Sequence, residues 1–161
     1  MSAGDSHTPV RTDLALVRES DRGTLAEPTW SGVTSFMRRR YRKALDGVDV
    51  AVVGMPYDLA TTNRPGARLG PRAMRAASAS LAWAPPYAWG FDPFERLTVV
   101  DHGDLLVDHG HPGDVPAAIT AAYGHIVAQG VVPLTLGGDH YVSYPILRAL
   151  RVDKLCLAAL E

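Results

Sequence analysis

The chain has 161 residues, 47% hydrophobic and 20% charged, and its 16 lysines and arginines against 17 aspartates and glutamates leave a formal net charge of -1. Such a charge provides no long-range field to gather a polyanion, which argues against a nucleic-acid binder. The single cysteine, Cys156, excludes an intramolecular disulfide and a thiolate metal cage. No apolar run approaches the roughly 20 residues of a membrane span. We therefore expect a cytoplasmic chain with one hydrophobic core.

The first part of the chain differs from the rest. Residues 1–35 are polar and mostly aperiodic, which favours a flexible N-terminal arm ahead of an ordered domain at 36–161. The next segment, 36–43, is locally basic. A solvated surface segment is the commoner use of such a run, and contact with a neighbouring subunit or an acidic ligand is the alternative.

Strand-like and helix-like patterns then alternate along the chain. Runs rich in β-branched residues predict strands at 48–54, 97–101, 131–136 and 154–157. Apolar spacing and terminal proline or glycine signals predict helices at 71–78, 116–129 and 144–150. Because parallel strands cannot be joined by hairpins, this order predicts an α/β fold with a mostly parallel sheet, whose ligands gather at the carboxyl ends of the strands.

The tetrapeptide Gly-Gly-Asp-His at 137–140 directly follows the third predicted strand. Two glycines permit close backbone approach, and Asp139 and His140 are then presented at the carboxyl edge of the sheet. A neutral imidazole is a good ligand for a divalent metal, and a neighbouring carboxylate can bind the metal or orient the imidazole. A tight turn with polar side chains is the equally weighted alternative.

The segment 55–71, after the first predicted strand, is too long for a simple connector. Asn63 and Arg68 offer hydrogen-bond donors there, and Asp58 offers a negative group for a cationic partner. We therefore interpret it as a binding loop, with a purely structural Ω-type loop as the alternative.

Aspartates and histidines also alternate at 101–111. Without a third convergent ligand, His109 and His111 are predicted to be exposed, and Asp101 and Asp104 are predicted to shape their turn through hydrogen bonds to the backbone. The Gly-rich phosphate-binding motifs and the Gly-x-Ser-x-Gly nucleophile motif are absent from the sequence.

Four motifs, in this order, resemble the N-terminal half of the ureohydrolase superfamily, which comprises the arginases and agmatinases. They are Gly-Met-Pro-Tyr-Asp at 54–58, Gly-Ala-Arg-Leu-Gly-Pro-Arg-Ala-Met-Arg at 66–75, Asp-His-Gly-Asp at 101–104 and Gly-Gly-Asp-His at 137–140. The loop sequence at 60–68 is more similar to the agmatinase and guanidino-acid hydrolase branch than to the arginases.

The resemblance implies a three-layer α/β/α sandwich around a mostly parallel sheet, in chains about twice this length that assemble as trimers or hexamers. It implies hydrolysis of a guanidino group, in agmatine or a guanidino acid, to urea and an amine by two manganese ions. By the same resemblance His140 is a metal ligand, Asp139 supports it, and Asn63 and Arg68 flank the substrate entrance. No catalytic residue is assigned.

The end of the chain departs from the family pattern. In the family, the strand after the last predicted helix ends in Asp-Ala-His-x-Asp, a later strand carries Asp-x-Asp, and these motifs supply most of the metal ligands. Residues 155–161 read Leu-Cys-Leu-Ala-Ala-Leu-Glu instead. We therefore expect a truncated or frame-shifted N-terminal half that does not hold both manganese ions and is inactive alone. A non-catalytic remnant that binds a full-length subunit or a ligand is one alternative, and an unstable fragment with an unpaired sheet edge is another.

Overall fold

The structure is a computed structural model that describes residues 14–23, 28–82 and 87–150. Its sheet contains the strands β1 (Val50–Gly54), β2 (Val99–Asp104) and β3 (Val132–Leu136), in the spatial order β2-β1-β3. Both neighbours run parallel to β1, with Val50 opposite Val99 on one side and opposite Val132 on the other. The predicted parallel sheet is therefore confirmed.

Helices connect the strands, as parallel pairing requires. Between β1 and β2 the chain forms α2 (Gly70–Ser78) and α3 (Pro93–Arg96), and between β2 and β3 it forms α4 (Val115–Ala128). A helix α1 (Leu14–Val17) precedes β1, and α5 (Ser143–Leu150) follows β3. Short 3-10 turns add Phe36–Arg38, Ala67–Leu69, Ala79–Leu81, Tyr87–Trp89 and His140–Val142. The predicted strand at 154–157, with Cys156, lies outside the described residues. Within the described ranges, no helix is both long enough and apolar enough to cross a bilayer.

The central strand β1 is covered on both faces. Ala51 and Val53 belong to a core cluster with Ile119 and Tyr123 of α4, whereas Val52 belongs to a second cluster against which Phe36 and Phe94 pack. Because successive strand residues point to opposite faces, these two clusters lie on opposite sides of the sheet. This burial on both faces explains why β1 reads as an uninterrupted apolar run.

The interpretation of the basic segment 36–43 as a solvated surface was wrong for part of it, because Tyr41 and Lys43 are exposed but two of its arginines are buried. Arg38 and Arg39 are 2% and 0% exposed. The guanidinium of Arg39 lies 4.0 Å from the ring centroid of Phe94 and donates to the carbonyl oxygen of Gly23 at 2.8 Å. Burial lowers the pKa of Arg39 to about 10. An arginine can be buried in this way because its flat cation stacks on an aromatic ring and its N–H groups find carbonyl acceptors.

Part of the predicted N-terminal arm contacts the sheet domain. Ala15 is fully buried and its carbonyl accepts a hydrogen bond from the Tyr41 amide at 2.8 Å. Arg22 Nε donates to Thr98 Oγ1 at 3.1 Å. The boundary between arm and domain near residue 35 stays a prediction.

Candidate functional site

The backbone segments that follow β1 and β3 meet at the carboxyl edge of the sheet. The Met55 amide donates to the Leu136 carbonyl at 2.9 Å, and the Asp139 amide donates to the Tyr57 carbonyl at 2.8 Å. A Cβ atom on Gly138 would lie 2.1 Å from the Tyr57 carbonyl oxygen, whereas a Cβ on Gly137 would meet nothing within 4 Å. The second glycine of the pair is therefore the one that this close approach requires.

Asp139 holds two backbone segments together. Its Oδ2 accepts a hydrogen bond from the Ala60 amide at 2.8 Å, and its Oδ1 accepts one from the Tyr141 amide at 3.1 Å. The second contact caps the 3-10 turn His140–Val142. Both carboxylate oxygens thus accept hydrogen bonds from backbone N–H groups. These bonds fix the turn that carries His140 and attach the predicted binding loop at 55–71 to that turn. The supporting role predicted for Asp139 toward a metal ligand stays a prediction.

His140 begins that turn with an exposed side chain. It lines an open pocket of about 690 Å³ together with Thr135, Gly137, Gly138, Asp139, Val142, Ser143, Ile146 and Leu147. No residue in the described part of the chain hydrogen-bonds to the imidazole ring, so neither ring nitrogen is occupied by a described protein group. This geometry suits a ligand-binding imidazole and does not by itself identify the ligand.

Asp58 faces inward, so the expected anionic group for a cationic partner was wrong. The residue is 1% exposed. Its Oδ1 lies 2.6 Å from Arg68 Nε and 2.5 Å from Arg68 Nη2. Its Oδ2 accepts hydrogen bonds from the amides of Gly66 and Arg68 at 2.6 and 3.2 Å. The Arg68 hydrogen bond, helped by these amides, lowers the pKa of Asp58 to about 2, and the same contact raises the pKa of Arg68.

The two residues predicted at the substrate entrance are thus in different situations. Arg68 is bound to a carboxylate of its own loop, while Asn63 is exposed in the middle of that loop. Neither position places a donor in the pocket beside His140, whose lining contains no residue of this loop. Their roles toward a substrate stay predictions.

A second ion pair, this one buried on both sides, joins Arg75 of α2 to Asp101 of β2, and the sequence did not predict it. Arg75 donates from Nε and Nη2 to the two carboxylate oxygens of Asp101, at 2.7 and 3.0 Å, and from Nη1 to Asp104 Oδ1 at 2.5 Å. Asp101 is 0% exposed and also accepts hydrogen bonds from the amides of Phe36 and Gly103, both at 2.8 Å. The last contact confirms the turn-shaping role predicted for Asp101. No local signal in the sequence indicated this pair, because Asp101 lies 26 residues after Arg75.

The histidines after β2 are exposed, as predicted. His111 Nδ1 lies 2.7 Å from Asp108 Oδ2, and the two side chains are 75% and 66% exposed. The His111 contact lowers the pKa of Asp108. His109 lies with its ring centroid 5.8 Å from that of Tyr57, which also neighbours the Tyr141 ring at 6.1 Å.

The described residues do not form a site for two metal ions. Asp58 and Asp101 are bound to arginines, and Asp139 is bound to backbone amides. Among the described residues, no group of three histidine, cysteine, aspartate or glutamate side chains converges as metal ligands would. His140 is the candidate ligand that remains at this edge, and one imidazole cannot hold two cations.

Comparisons with known proteins match most of the chain. A model of the arginase family matches residues 48–158. An agmatinase from Chromobacterium violaceum is 53% identical over 137 residues, which are 85% of this chain and 42% of that protein. The human mitochondrial guanidino acid hydrolase is 46% identical over 119 residues, which are 74% of this chain and 34% of that protein.

A solved structure agrees with the fold. The crystal structure of a hypothetical agmatinase from Burkholderia thailandensis has a TM-score of 0.85 and 52% sequence identity, over 88% of this chain and 45% of that chain. The chain therefore spans less than half the length of these relatives. The resemblance predicted from the four motifs, and the arginase-like α/β fold that it implied, are both confirmed.

Proposed function

Because this chain belongs to the arginase family, we propose that it is the N-terminal part of an agmatinase-like ureohydrolase that hydrolyses the guanidino group of agmatine or a guanidino acid to urea and an amine. The observation that carries the proposal is the turn at His140. It begins at the last residue of the Gly-Gly-Asp-His motif at 137–140, and it holds an exposed imidazole beside a pocket at the carboxyl edge of a parallel sheet.

The chemistry explains why one imidazole is not enough. A guanidinium carbon is a poor electrophile because resonance spreads its positive charge, and neutral water is a poor nucleophile. Metal ions overcome both difficulties by activating and positioning a bound water. We propose that His140 contributes one ligand to a manganese pair, that Asp139 orients it, and that the remaining ligands lie outside the described residues. The 161-residue chain is therefore expected to be inactive alone.

A second candidate is a non-catalytic role in binding a full-length subunit. Its support is the face of β3 that the described residues leave uncovered, where Val132 is 62% exposed and Leu134 is 45% exposed.

We also propose that the protein forms homo-oligomers, as trimers or hexamers, and that it is located in the cytoplasm. The near-neutral charge and the single cysteine support that location, and neither a nucleic acid nor a membrane is proposed as a partner.

The test uses the 161-residue chain and a chimera in which residues 1–150 replace the matching part of the Chromobacterium violaceum agmatinase. Urea release is measured with manganese and either agmatine or 4-guanidinobutanoate. We expect no urea from the chain alone and urea from the chimera. His140→Ala should abolish that activity, whereas His125→Ala, an exposed histidine on α4, should retain it.

Two results would contradict the proposal. Urea release by the isolated chain at the rate of a full-length relative would show that no further ligands are needed. A folded chimera that hydrolyses neither substrate would contradict the proposed reaction. A chimera that remains active after His140→Ala would show that His140 is not a required ligand. Co-purification of the chain with a full-length relative, without any activity in the chimera, would favour the second candidate.

A further inference from the structure

We propose that Asp58 and Arg68 form a brace that holds the loop between β1 and α2 in one conformation before any ligand binds, and that Arg68 is a positioning residue that acts through Asp58. The inference rests on the proposed function only in treating this loop as one wall of the substrate entrance. The brace itself consists of contacts within the described residues.

The brace closes the loop on itself. Asp58 stands at the beginning of the loop and Arg68 near its end, and their side chains meet at 2.5 to 2.6 Å. The other carboxylate oxygen accepts the amides of Gly66 and Arg68. Gly66 has a φ of +143°, a conformation that side chains with a Cβ rarely adopt, so a glycine lets its amide point at Asp58. One carboxylate therefore gathers four contacts from one loop.

The braced loop is attached at its beginning to the turn that carries His140, and its end lies against the segment that precedes this turn. At its beginning, the Ala60 amide donates to Asp139 Oδ2 at 2.8 Å. At its end, Gly70, the first residue of α2, lies so close to the residue after β3 that a Cβ atom there would be 3.1 Å from the Gly137 carbonyl oxygen. Fixing the loop consequently fixes the backbone segment that Asp139 binds, next to the turn that carries His140, and this is how the brace bears on a site at this edge.

The charges of the pair explain why Arg68 acts on the loop and not on a ligand. Its guanidinium is already paired with a carboxylate, and an incoming anion would have to compete with Asp58, which the loop holds in place. The hydrogen bonds from Arg68 and from the loop amides keep the pKa of Asp58 near 2, so the pair stays ionised at every physiological pH. Arg64, in the same loop, is exposed and makes no hydrogen bond or ion pair with any described residue. It therefore serves as a matched control.

The first measurement is NMR on the unmodified chain, without metal or substrate. The Arg68 Nε proton and the Gly66 amide should exchange slowly with water and give resolved signals, because both are bound to Asp58. The Arg64 Nε proton should exchange rapidly. Equal, rapid exchange at both arginines and at the Gly66 amide would overturn the proposal.

The second measurement compares Arg68→Gln, Arg68→Lys and Arg64→Gln. Arg68→Gln should speed the exchange of the Gly66 amide by about tenfold or more, as the loss of a charged hydrogen bond implies, while core amides of β1 keep their protection. Arg68→Lys should recover part of the protection because it restores the positive charge, and Arg64→Gln should change nothing. Unchanged exchange in Arg68→Gln, or the same loss in Arg64→Gln, would contradict the brace.

Two features keep the test decisive. If Arg68→Gln does not fold, the signals of the unmodified chain still support or overturn the proposal. If the chimera fails to release urea, the exchange data are unaffected because they require neither manganese nor a guanidino compound. Failure of the brace and failure of the proposed function are thus distinguishable.

Discussion

Replacement of Arg75 by methionine tests whether the ion pair beneath the sheet edge holds α2 against β2. Methionine keeps most of the aliphatic stem but removes all three contacts to Asp101 and Asp104. Asp101 would remain as a fully buried carboxylate without a counter-charge. The perturbation therefore isolates the charge of Arg75 from its packing volume.

The expected cost follows from the surroundings of each carboxylate. Removing one partner of a buried ion pair usually costs 3–5 kcal/mol, because the other charge is left uncompensated. Asp101 would still accept hydrogen bonds from two backbone amides, which places this case at the lower end. The Asp104 side chain is 45% exposed, so its contact adds little. We expect Arg75→Met to lower the free energy of unfolding by about 3 kcal/mol.

The assay is urea denaturation of the 161-residue chain at neutral pH, followed by a thermal melt. For a chain of this size, about 3 kcal/mol corresponds to a drop in Tm of roughly 6–12 °C. Arg72→Met is the matched control, since Arg72 lies on the same helix with an exposed side chain. It should change the free energy of unfolding by less than about 0.5 kcal/mol.

A double-variant cycle sharpens the comparison. Adding Asp101→Asn to Arg75→Met removes the stranded charge, so the double variant should be more stable than the sum of the single effects predicts, by about 1–3 kcal/mol. Equal costs for Arg75→Met and Arg72→Met would refute the reasoning. Strict additivity in the cycle would do so as well, because it would mean that the two side chains do not interact.

Three further changes have defined outcomes. Gly138→Ala should lower the free energy of unfolding by about 3 kcal/mol, because the new Cβ would overlap backbone carbonyl oxygens of the segment after β1. Gly137→Ala should lower it by less than about 1 kcal/mol in the same urea titration, because a Cβ there would meet no atom within 4 Å. Tyr123→Phe should cost about 1 kcal/mol by removing a 2.8 Å hydrogen bond to β3. Arg68 lowers the pKa of Asp58 from 3.8 to about 2, so ionised Asp58 should stabilise the fold above pH 4 and lose this effect as the pH falls through 2. The ¹³C chemical shift of the Asp58 carboxyl should therefore titrate near pH 2 in the unmodified chain and nearer pH 4 in Arg68→Gln.

The elements that the sequence predicted correctly are those with a local signal. The uninterrupted apolar run of β1 indicated a strand buried on both faces, and it lies at the centre of the described sheet. Helix α4 was expected at 116–129 and spans Val115–Ala128, because Pro116 and Gly130 mark its ends. Such signals depend on residues that are close in sequence, so one chain is enough to find them.

The buried arginines had no comparable local signal. Arg39 and Arg75 are charged, and charge alone favours a surface position. Arg39 is buried because Phe94 offers a ring from a distant part of the chain, and Arg75 is buried because Asp101 comes to it in β2. In each case the partner lies more than twenty residues away, so the burial is a property of the tertiary fold and could not be predicted from the run itself.

The carboxylates at the sheet edge show the same limit for the candidate site. Asp58 and Asp139 follow parallel strands and Asp101 lies within one, near the sheet edge where acidic residues often bind metals. The structure assigns each of them to holding a loop, a helix or a turn in place. These contacts fix the direction of each carboxylate, and among the described residues no group of three potential ligands converges. The composition of this edge therefore suggests more metal ligands than its geometry provides, and His140 differs from the aspartates because the fold holds its backbone and leaves its side chain exposed.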